Sequence, residues 1–464
     1  MLFAVEIAAW QTTLGILIIA VSIWAVVREW EVRLVLAGAG LLLGVIAWSP
    51  EVIVREFLLT MTNERFVIPL CTAMGFAHVL KHTGCDQHLV HLLVRPLTKV
   101  RFLLIPGTVV VGFLVNMPIV SQTSTAVTIG TVVLPILRAA RLSPVTAGAS
   151  LLLGASIGGE LLNPGAPELQ TTSTGSERAA KDLQVHGASI DPSEFTLNRC
   201  VERIFPLNLV GLAVGTLAFW VMQYWREPCA LPDETQADEA FEVHWHKAVV
   251  PLVPLAILYI TAYPFELVEI EPAWVHAEPT AKINMTRLIG LSMLIGVAAA
   301  AIASPGKLNG VVAAFFEGGG YGYAHIVSLI AVATCFGKGV EQIGIAGLIG
   351  NLIEYFPDLL IPLAGVLPLG FAALCGSGMA TAQSLFGFFA KPALLLGVDP
   401  THVGAVVSIA AAAGRTMSPV AAVTLMCARM TDTKPLDLSK QVVIPLLISI
   451  AIVIVVAMII APAV

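Results

Sequence analysis

AAAGRTMSPVAAV, residues 411–423, places an arginine, two hydroxyl residues and a proline inside what is otherwise an apolar run. A side chain like Arg415 at the centre of a bilayer costs about 2.5–3.5 kcal/mol on insertion scales, so it must face a partner or a cavity. Ser418 followed by Pro419 reads as a helix N-cap followed by proline at the first helical position. Gly414 is therefore expected to end one half-helix, and a second is expected to begin at 419. A half-helix that starts inside the membrane points unsatisfied N–H groups and a positive dipole end at the break, which favours an anion. The planar fork of arginine suits a carboxylate better than lysine does. From the residues alone, Arg415 binds a substrate carboxylate, forms a structural pair with Glu160 as the partner, or sits at the membrane interface.

The surrounding chain explains why such a break matters. Hydrophobic residues make up 57% of the 464 and charged ones 12%, with a mean hydropathy of +0.87. Soluble domains carry about twice that charge. Continuous apolar runs at 9–27, 33–49, 102–118, 203–225, 286–303 and 441–461 approach the length of about 20 residues needed to cross a bilayer. Because they do not alternate with polar residues, they imply an all-α polytopic membrane protein and exclude a β-barrel. The N-terminus lacks a basic segment and carries Glu6 before its first apolar run, so that run is expected to be retained. The net charge of −6 gives no reason to expect nucleic acid. It comes mostly from acidic stretches at 231–247 and 265–279. The seven cysteines form no CxxC pair and read as small buried residues.

The break has a counterpart. Shifted by 256 residues, Ser121 meets Ser377, Thr125 meets Thr381, Pro144 meets Pro400 and Gly158 meets Gly414. Upstream, a shift of 260 aligns Phe76 with Phe336 and Gly84 with Gly344. The order of features repeats as well. A span ends near a glycine (66–84; 325–344) and another span follows (102–118; 358–374). Then come a hydroxyl- and glycine-rich stretch (SQTSTAVTIG; CGSGMATAQS), a turn with proline, and an interrupted span (GASIGGELLNPG; AAAGRTMSPV). Two such halves are a common plan of secondary transporters, typically as inverted repeats. The first break is expected to end a piece at Gly158–Gly159 and to restart from Asn163–Pro164.

Residues 115–137 and 375–396 place polar groups centrally, flanked by proline or glycine. Each reads as a re-entrant hairpin of two half-helices meeting at a polar tip; an ordinary helix whose hydroxyls bond their own backbone is the alternative. Hydroxyls at the tips could coordinate Na⁺ or a polar substrate. Glu160 neutralises Arg415, binds a cation or carries a coupling proton; otherwise it marks the mouth of a polar loop.

These features divide the chain into N-terminal spans (1–64) and a first repeat (65–164, with a hairpin at about 115–139 and a broken span at 144–164). A polar loop with short helical pieces (165–200) and linking spans with acidic loops (201–285) follow. Then come a span and connector (286–324), a second repeat (325–430, with a hairpin at about 375–396 and a broken span at 401–428) and a C-terminal span (431–464). AHVLKHTGCDQHLVH (77–91) sets His78, His82 and Cys85 at i, i+4, i+7, one helical face that could hold a metal. The matching positions Lys338, Gln342 and Ile345 preserve no such set, so an interfacial helix is expected there and no metal site. A membrane-embedded metalloenzyme built on this cluster is the remote alternative function.

FEGGGYGYAHIVSLIAVATCFGKGVEQIG (316–344), CGSGMATAQSLFGFFAKPALLLGVDPTHVGA (375–405), AAAGRTMSPVAAV and, in the first half, GFAHVLKHTG (75–84) resemble the DcuC-type anaerobic C4-dicarboxylate carriers of the ion transporter superfamily. The resemblance implies a carrier of succinate-, fumarate- or malate-like anions in the bacterial inner membrane. It further implies a homodimeric elevator-type transporter, each protomer pairing a scaffold domain with a moving transport domain, and no cofactor beyond Na⁺ as a possible coupling ion. Carried over by position, the implied substrate site comprises Ser121, Gln122, Thr123, Ser124, Thr125 and Asn163, with Ser377, Gly378, Thr381, Arg415, Thr416 and Ser418. Glu160, Ser121, Ser377 and Thr381 are the candidates for the coupling ion or proton. A monocarboxylate carrier or a Na⁺/H⁺ antiporter of the same superfamily is the alternative.

Overall fold

A computed structural model describes residues 9–28, 30–94, 103–185, 190–226, 242–261, 268, 270–275, 285–344, 353 and 355–462. Glu6 and most of the two acidic stretches lie outside the described residues. Among those residues the regular structure is helical throughout, with no β-strand. Among the described residues, seven helical stretches are long and apolar enough to cross a membrane.

The helices are α1 (Ala9–Val27), α2 (Val32–Ile46), α3 (Pro50–Met61), α4 (Glu64–Thr83), α5 (Cys85–Val94), α6 (Leu104–Asn116), α7 (Gln122–Ala139), α8 (Pro144–Ser156), α9 (Pro167–Val185) and α10 (Leu197–Arg226). The chain continues with α11 (Trp245–Val249), α12 (Val253–Thr261), α13 (Met285–Ala303), α14 (Val311–Tyr321), α15 (Ser328–Gln342) and α16 (Leu360–Cys375). Last come α17 (Gly378–Leu385), α18 (Gly387–Leu395), α19 (Pro400–Met417), α20 (Ala422–Thr431) and α21 (Pro435–Ile459).

The same devices occur in both halves. Gly84 and Gly344 close α4 and α15 with φ of +78° and +79°, a backbone state that suits glycine. Ser121 and Ser377 cap α7 and α17, each accepting the N–H three residues on. Ser143 and Asp399 cap α8 and α19, each followed by proline at the first helical position.

Packing follows from small residues. A Cβ at Gly112 would stand 2.5 Å from the Gly154 backbone, so α6 and α8 touch through paired glycines. A Cβ at Gly414 would stand 2.2 Å from the Leu369 carbonyl oxygen, so α16 and α19 touch in the same way. Each broken span thus lies against the helix that precedes its polar tip. The pieces beyond the breaks cross over: α9 packs on α17, α18 and α19, and α20 packs on α7 and α8. In the broken spans 94% and 83% of the most apolar stretch is buried, against 39–50% in the other five spans, so the two breaks form the centre of the molecule.

Several boundaries differ from expectation. The polar stretches inside 115–139 and 375–396 open α7 and α17, and each is preceded by the helix expected as a separate span, α6 or α16. The 13 residues of α6 reach only about 20 Å, short of a hydrocarbon core of about 30 Å, whereas α16 lies in a stretch long enough to span. Gly414 does not end a helix: α19 runs on to Met417 and the chain restarts at Ala422, not 419. The first restart is at Pro167, not 164, because Asn163 closes a turn onto the Gly165 N–H (2.9 Å) instead of capping a helix. The boundary at 324/325 falls inside a helix that joins α14 to α15 through a π turn at Gly322–Val327.

The polar loop expected at 165–200 is for the most part α9, a 19-residue helix with Glu168, Gln170, Thr172, Thr174 and Ser176 buried. Those five face neighbouring helices rather than water, while Arg178, Lys181 and Asp182 in its second half are exposed; Thr171 and Ser176 donate to carbonyls one turn back (2.9 and 2.7 Å). The His78/His82/Cys85 face is also interrupted, because Gly84 starts a new helix at Cys85. His82 Nε2 lies 3.1 Å from the Lys307 carbonyl oxygen and Cys85 Sγ lies 3.8 Å from Ser304 Oγ.

Candidate functional site at the two breaks

Arg415 lies in the last turn of α19, where the negative end of the helix dipole favours a cation. It is the only lysine or arginine buried among the described residues. Its Nη2 donates to Glu160 Oε1 at 2.7 Å and to the Ser156 carbonyl at 3.0 Å, and its Nε to Ser156 Oγ at 3.3 Å. Nη1 points toward the start of α17, where a Cβ on Gly378 would stand 3.3 Å away. The guanidinium therefore sits between a carboxylate and a helix N-terminus, two groups of opposite electrostatic character.

Glu160 occupies the 3₁₀ turn Gly159–Leu162 that follows Gly158, whose φ of +111° ends the first piece of the broken span. Gln122 Nε2 donates to the same Oε1 at 2.8 Å, while Oε2 is buried without a partner. The Glu160 N–H donates to Asn116 Oδ1 at 3.1 Å. Asn116 in turn donates to the Ile119 carbonyl (3.0 Å) and to Thr125 Oγ1 (3.3 Å). Asn163 Nδ2 donates to the Met117 carbonyl at 2.8 Å. Two asparagines thus fasten the first polar tip to the first break. The second tip uses close approach instead: a Cβ at Gly376 would stand 3.0 Å from the Ala421 nitrogen, and one at Gly378 would stand 3.1 Å from the Ala411 carbonyl oxygen.

A further link joins the two breaks directly. Thr416 Oγ1 lies 2.8 Å from both Ser156 Oγ and the Ser156 carbonyl oxygen. Arg415, Thr416, Gly378, Glu160, Gln122, Asn163 and Thr125 therefore belong to one connected region. Ser121 and Ser377 are occupied as helix caps, and Thr381 Oγ1 donates to the Ser377 carbonyl (2.7 Å), so these hydroxyls serve their own helices. Thr123 and Ser124 lie half-buried on the first turn of α7. Ser418 Oγ is buried with no partner.

The sequence reading missed Asn116, Ser156, Glu168, Gln383 and Ser408. Asn116 carries a visible signal, an amide inside an apolar run. The others become recognisable only once α8, α9, α17 and α19 are packed together.

Comparisons with known proteins agree with this architecture. A family model described as C4-dicarboxylate anaerobic carrier, DcuC, matches residues 188–462. One for the Na⁺/H⁺ antiporter family matches residues 65–185. A putative uncharacterized transporter of Haemophilus influenzae is 35% identical over 138 residues, 30% of this chain and 95% of that one. A probable anaerobic C4-dicarboxylate transporter DcuC of Vibrio cholerae is 24% identical over 403 residues, 84% of this chain and 80% of the other. The DcuC transporter of Escherichia coli K12 is 22% identical over 404 residues, covering 84% and 79%. Among solved structures, the Alcanivorax borkumensis YdaH transporter superposes with a TM-score of 0.62 at 14% identity over 97% of both chains, a likeness of fold.

Proposed function

The chain belongs to the C4-dicarboxylate anaerobic carrier (DcuC) family, and from that premise we propose that it is a secondary active carrier of C4-dicarboxylates such as succinate, fumarate or malate. It is a multi-pass membrane transporter and not an enzyme. The observation that carries the substrate class is Arg415, buried where the two breaks meet, with a carboxylate already on one edge of its fork. A substrate carboxylate is recognised by the same fork, beside the N–H groups that open α17.

The movement is an elevator in the inner membrane of a bacterium, in a homodimer whose protomers are built as inverted repeats. Two features support it. The tips and broken spans pack chiefly on one another, while α2–α4 and α13–α15 form a second set of mutual contacts. The glycine, cap and proline devices recur in the same order in both halves. In this reading the tips act as re-entrant hairpins, and transport is driven by an ion gradient, Na⁺ or H⁺, or by exchange.

Uptake of labelled succinate, fumarate and malate into proteoliposomes tests the reading. Accumulation or counterflow of at least one supports it; no carboxylate movement under any imposed ion gradient rejects it. One observation favours a second reading, a Na⁺/H⁺ antiporter: the antiporter-family match covers the segment holding Glu160. Sodium-dependent proton movement without any organic anion would select it.

A further inference from the structure

A cavity of about 330 Å³ opens between α11 and the turn that joins α13 to α14. His244, His246 and Lys247 line one side, and Ala303, Ser304 and Lys307 the other. The place is a membrane boundary, because the spanning stretch 286–303 ends here and the stretch 311–342 begins here. The end of α4 meets the same turn: His82 Nε2 lies 3.1 Å from the Lys307 carbonyl oxygen, and a Cβ at Gly84 would stand 3.8 Å from Lys307 Nζ. Trp245 is exposed at the start of α11, and an indole suits the headgroup level of a bilayer. Val249, Ile302 and Leu308, close in the chain to the lining residues, are also exposed.

The charge in the cavity is of one sign. Lys247 and Lys307 carry it, and the His244 and His246 rings, with centroids 5.6 Å apart, add N–H donors. No acid lines the cavity; Glu242, exposed two residues before His244, is not part of its wall. His88 of α5, a helix outside the seven spanning stretches, supports this wall. Its Nδ1 accepts the His244 N–H at 3.2 Å, and the two rings lie 5.3 Å apart. Burial, and then Lys247, His244, His91 and His246, hold the His88 imidazole below its ordinary value, and each of those four neighbours is a base. Asp86 stands two residues earlier on α5, on another face, where its carboxylate accepts from the Gln87 N–H (2.9 Å) and Thr128 Oγ1 (3.3 Å). A metal does not fit: among the described residues, no three of His, Cys, Asp and Glu come together as ligands.

We propose that this cavity binds the phosphate of an anionic phospholipid. Two ammonium groups and two imidazoles match the phosphate, and the exposed apolar side chains beside them match the acyl chains. A soluble anion would use the first set and leave the second without a role. Basic pockets between helices at a membrane surface recognise lipid headgroups in this way. Lys247 belongs to α11 and Lys307 to the turn between α13 and α14. A phosphate held by both ties the segment linking the two halves to the spanning helices beside it, so the bound lipid stabilises the fold. Neither the substrate nor the mode of transport bears on this site.

Thermal unfolding and native mass spectrometry of the delipidated full-length protein in detergent test the site with four probes: phosphatidylglycerol, cardiolipin, phosphatidylcholine and inorganic phosphate. The two anionic lipids should raise the unfolding temperature and remain bound, while phosphatidylcholine and inorganic phosphate should do neither. The Lys247→Gln, Lys307→Gln double variant should bind phosphatidylglycerol about 25-fold more weakly, from about fivefold for each lysine. Replacing both by Arg should preserve binding. So should the Lys181→Gln, Lys440→Gln variant, which removes two exposed lysines elsewhere. Unfolding without lipid shows whether each variant is folded, and the single substitutions, each expected to cost about fivefold, serve if the double variant is not. Undiminished binding by the Lys247 and Lys307 variants overturns the proposal, as does an equal loss in the Lys181 and Lys440 variant or an equal effect of phosphatidylcholine. Stabilisation by inorganic phosphate as large as that by phosphatidylglycerol overturns the lipid and makes the cavity a site for free anions.

Discussion

Arg415 Nη2 and Glu160 Oε1 meet at 2.7 Å across 255 residues of chain, one from each broken span, with both side chains buried. The ion pair is therefore both a structural tie between the two halves and an occupant of the group best suited to a substrate carboxylate. Under the proposed function these roles oppose one another, since a substrate carboxylate at Arg415 would compete with Glu160 for the same fork.

The competition predicts an asymmetric double-mutant cycle. Arg415→Ala leaves Glu160 buried without its counter-ion, which should cost about 3–5 kcal/mol of stability and abolish uptake. Glu160→Gln keeps an oxygen for Arg415 but removes the competing charge, so succinate should bind more tightly than to wild type. The double variant should regain much of the stability lost in Arg415→Ala and none of its transport. Thermal unfolding with and without succinate reads all three effects. Equal succinate affinity in wild type and Glu160→Gln would show that the pair does not occupy the substrate's place.

Much of this site was legible in the sequence, because an arginine, a cap-like serine and a proline inside apolar runs are expensive and must have a reason. Arg415, Glu160 and the recurrence of Gly84 at Gly344 follow from that logic. The limits were equally physical. Hydropathy measures transfer to lipid, so it could not tell the short helix α6 from a full span. Nor could it see that α9 turns Glu168 and Thr172 toward other helices. Ser418 and Pro419 have the composition of a helix start, yet Ser418 follows the last turn of α19 and the next helix begins only at Ala422, after the close packing of Gly414 on Leu369 has carried α19 to Met417. The crossing of α9 and α20 onto the opposite halves has no local signal at all.

That packing supplies a stability test. At Gly414 a Cβ would stand 2.2 Å from the Leu369 carbonyl oxygen, a backbone atom that cannot swing away. Gly414→Ala should lower stability by about 1–3 kcal/mol or more. At Gly370, inside α16, a Cβ would meet nothing within 4 Å. Gly370→Ala should be neutral or stabilise by up to about 1 kcal/mol through helix propensity. Detergent-solubilised thermal unfolding of both variants checks the contrast, and equal effects would mean that α16 and α19 are not in close contact.

Asn163 links the first break to the first tip through its bonds to the Met117 carbonyl and the Gly165 N–H. Asn163→Ala removes both, and should cost about 1–3 kcal/mol because buried backbone groups are left unpaired. Asn163→Asp preserves the acceptor for Gly165 but presents an oxygen to the Met117 carbonyl, so it should be at least as damaging. Uptake by both variants should fall with the loss of tip position even at temperatures where they remain folded. Full uptake by Asn163→Ala would separate this contact from transport.

Asp399 gives a pH dependence at the outer end of α19. Its side chain accepts from the Thr401 N–H (2.9 Å) and hydroxyl (2.6 Å), from Arg199 (2.8 Å) and from Arg203 (3.1 Å). Burial alone would push the carboxyl up. The hydrogen bonds from Thr401 and Arg199 and the Arg199 charge outweigh burial, so it sits below its ordinary value. A carboxyl depressed in the folded state contributes stability that is fully present above its unfolded pKa of about 4 and is lost as pH falls through the folded value. Stability should therefore be insensitive to Asp399 between neutrality and about pH 5, and should decline below about pH 4. Asp399→Asn keeps a capping oxygen but loses the charge, so it should lower stability at neutral pH and flatten the acid decline. Unfolding midpoints from pH 7 to pH 3 for both proteins measure this; parallel curves would show that Asp399 titrates no differently folded than unfolded.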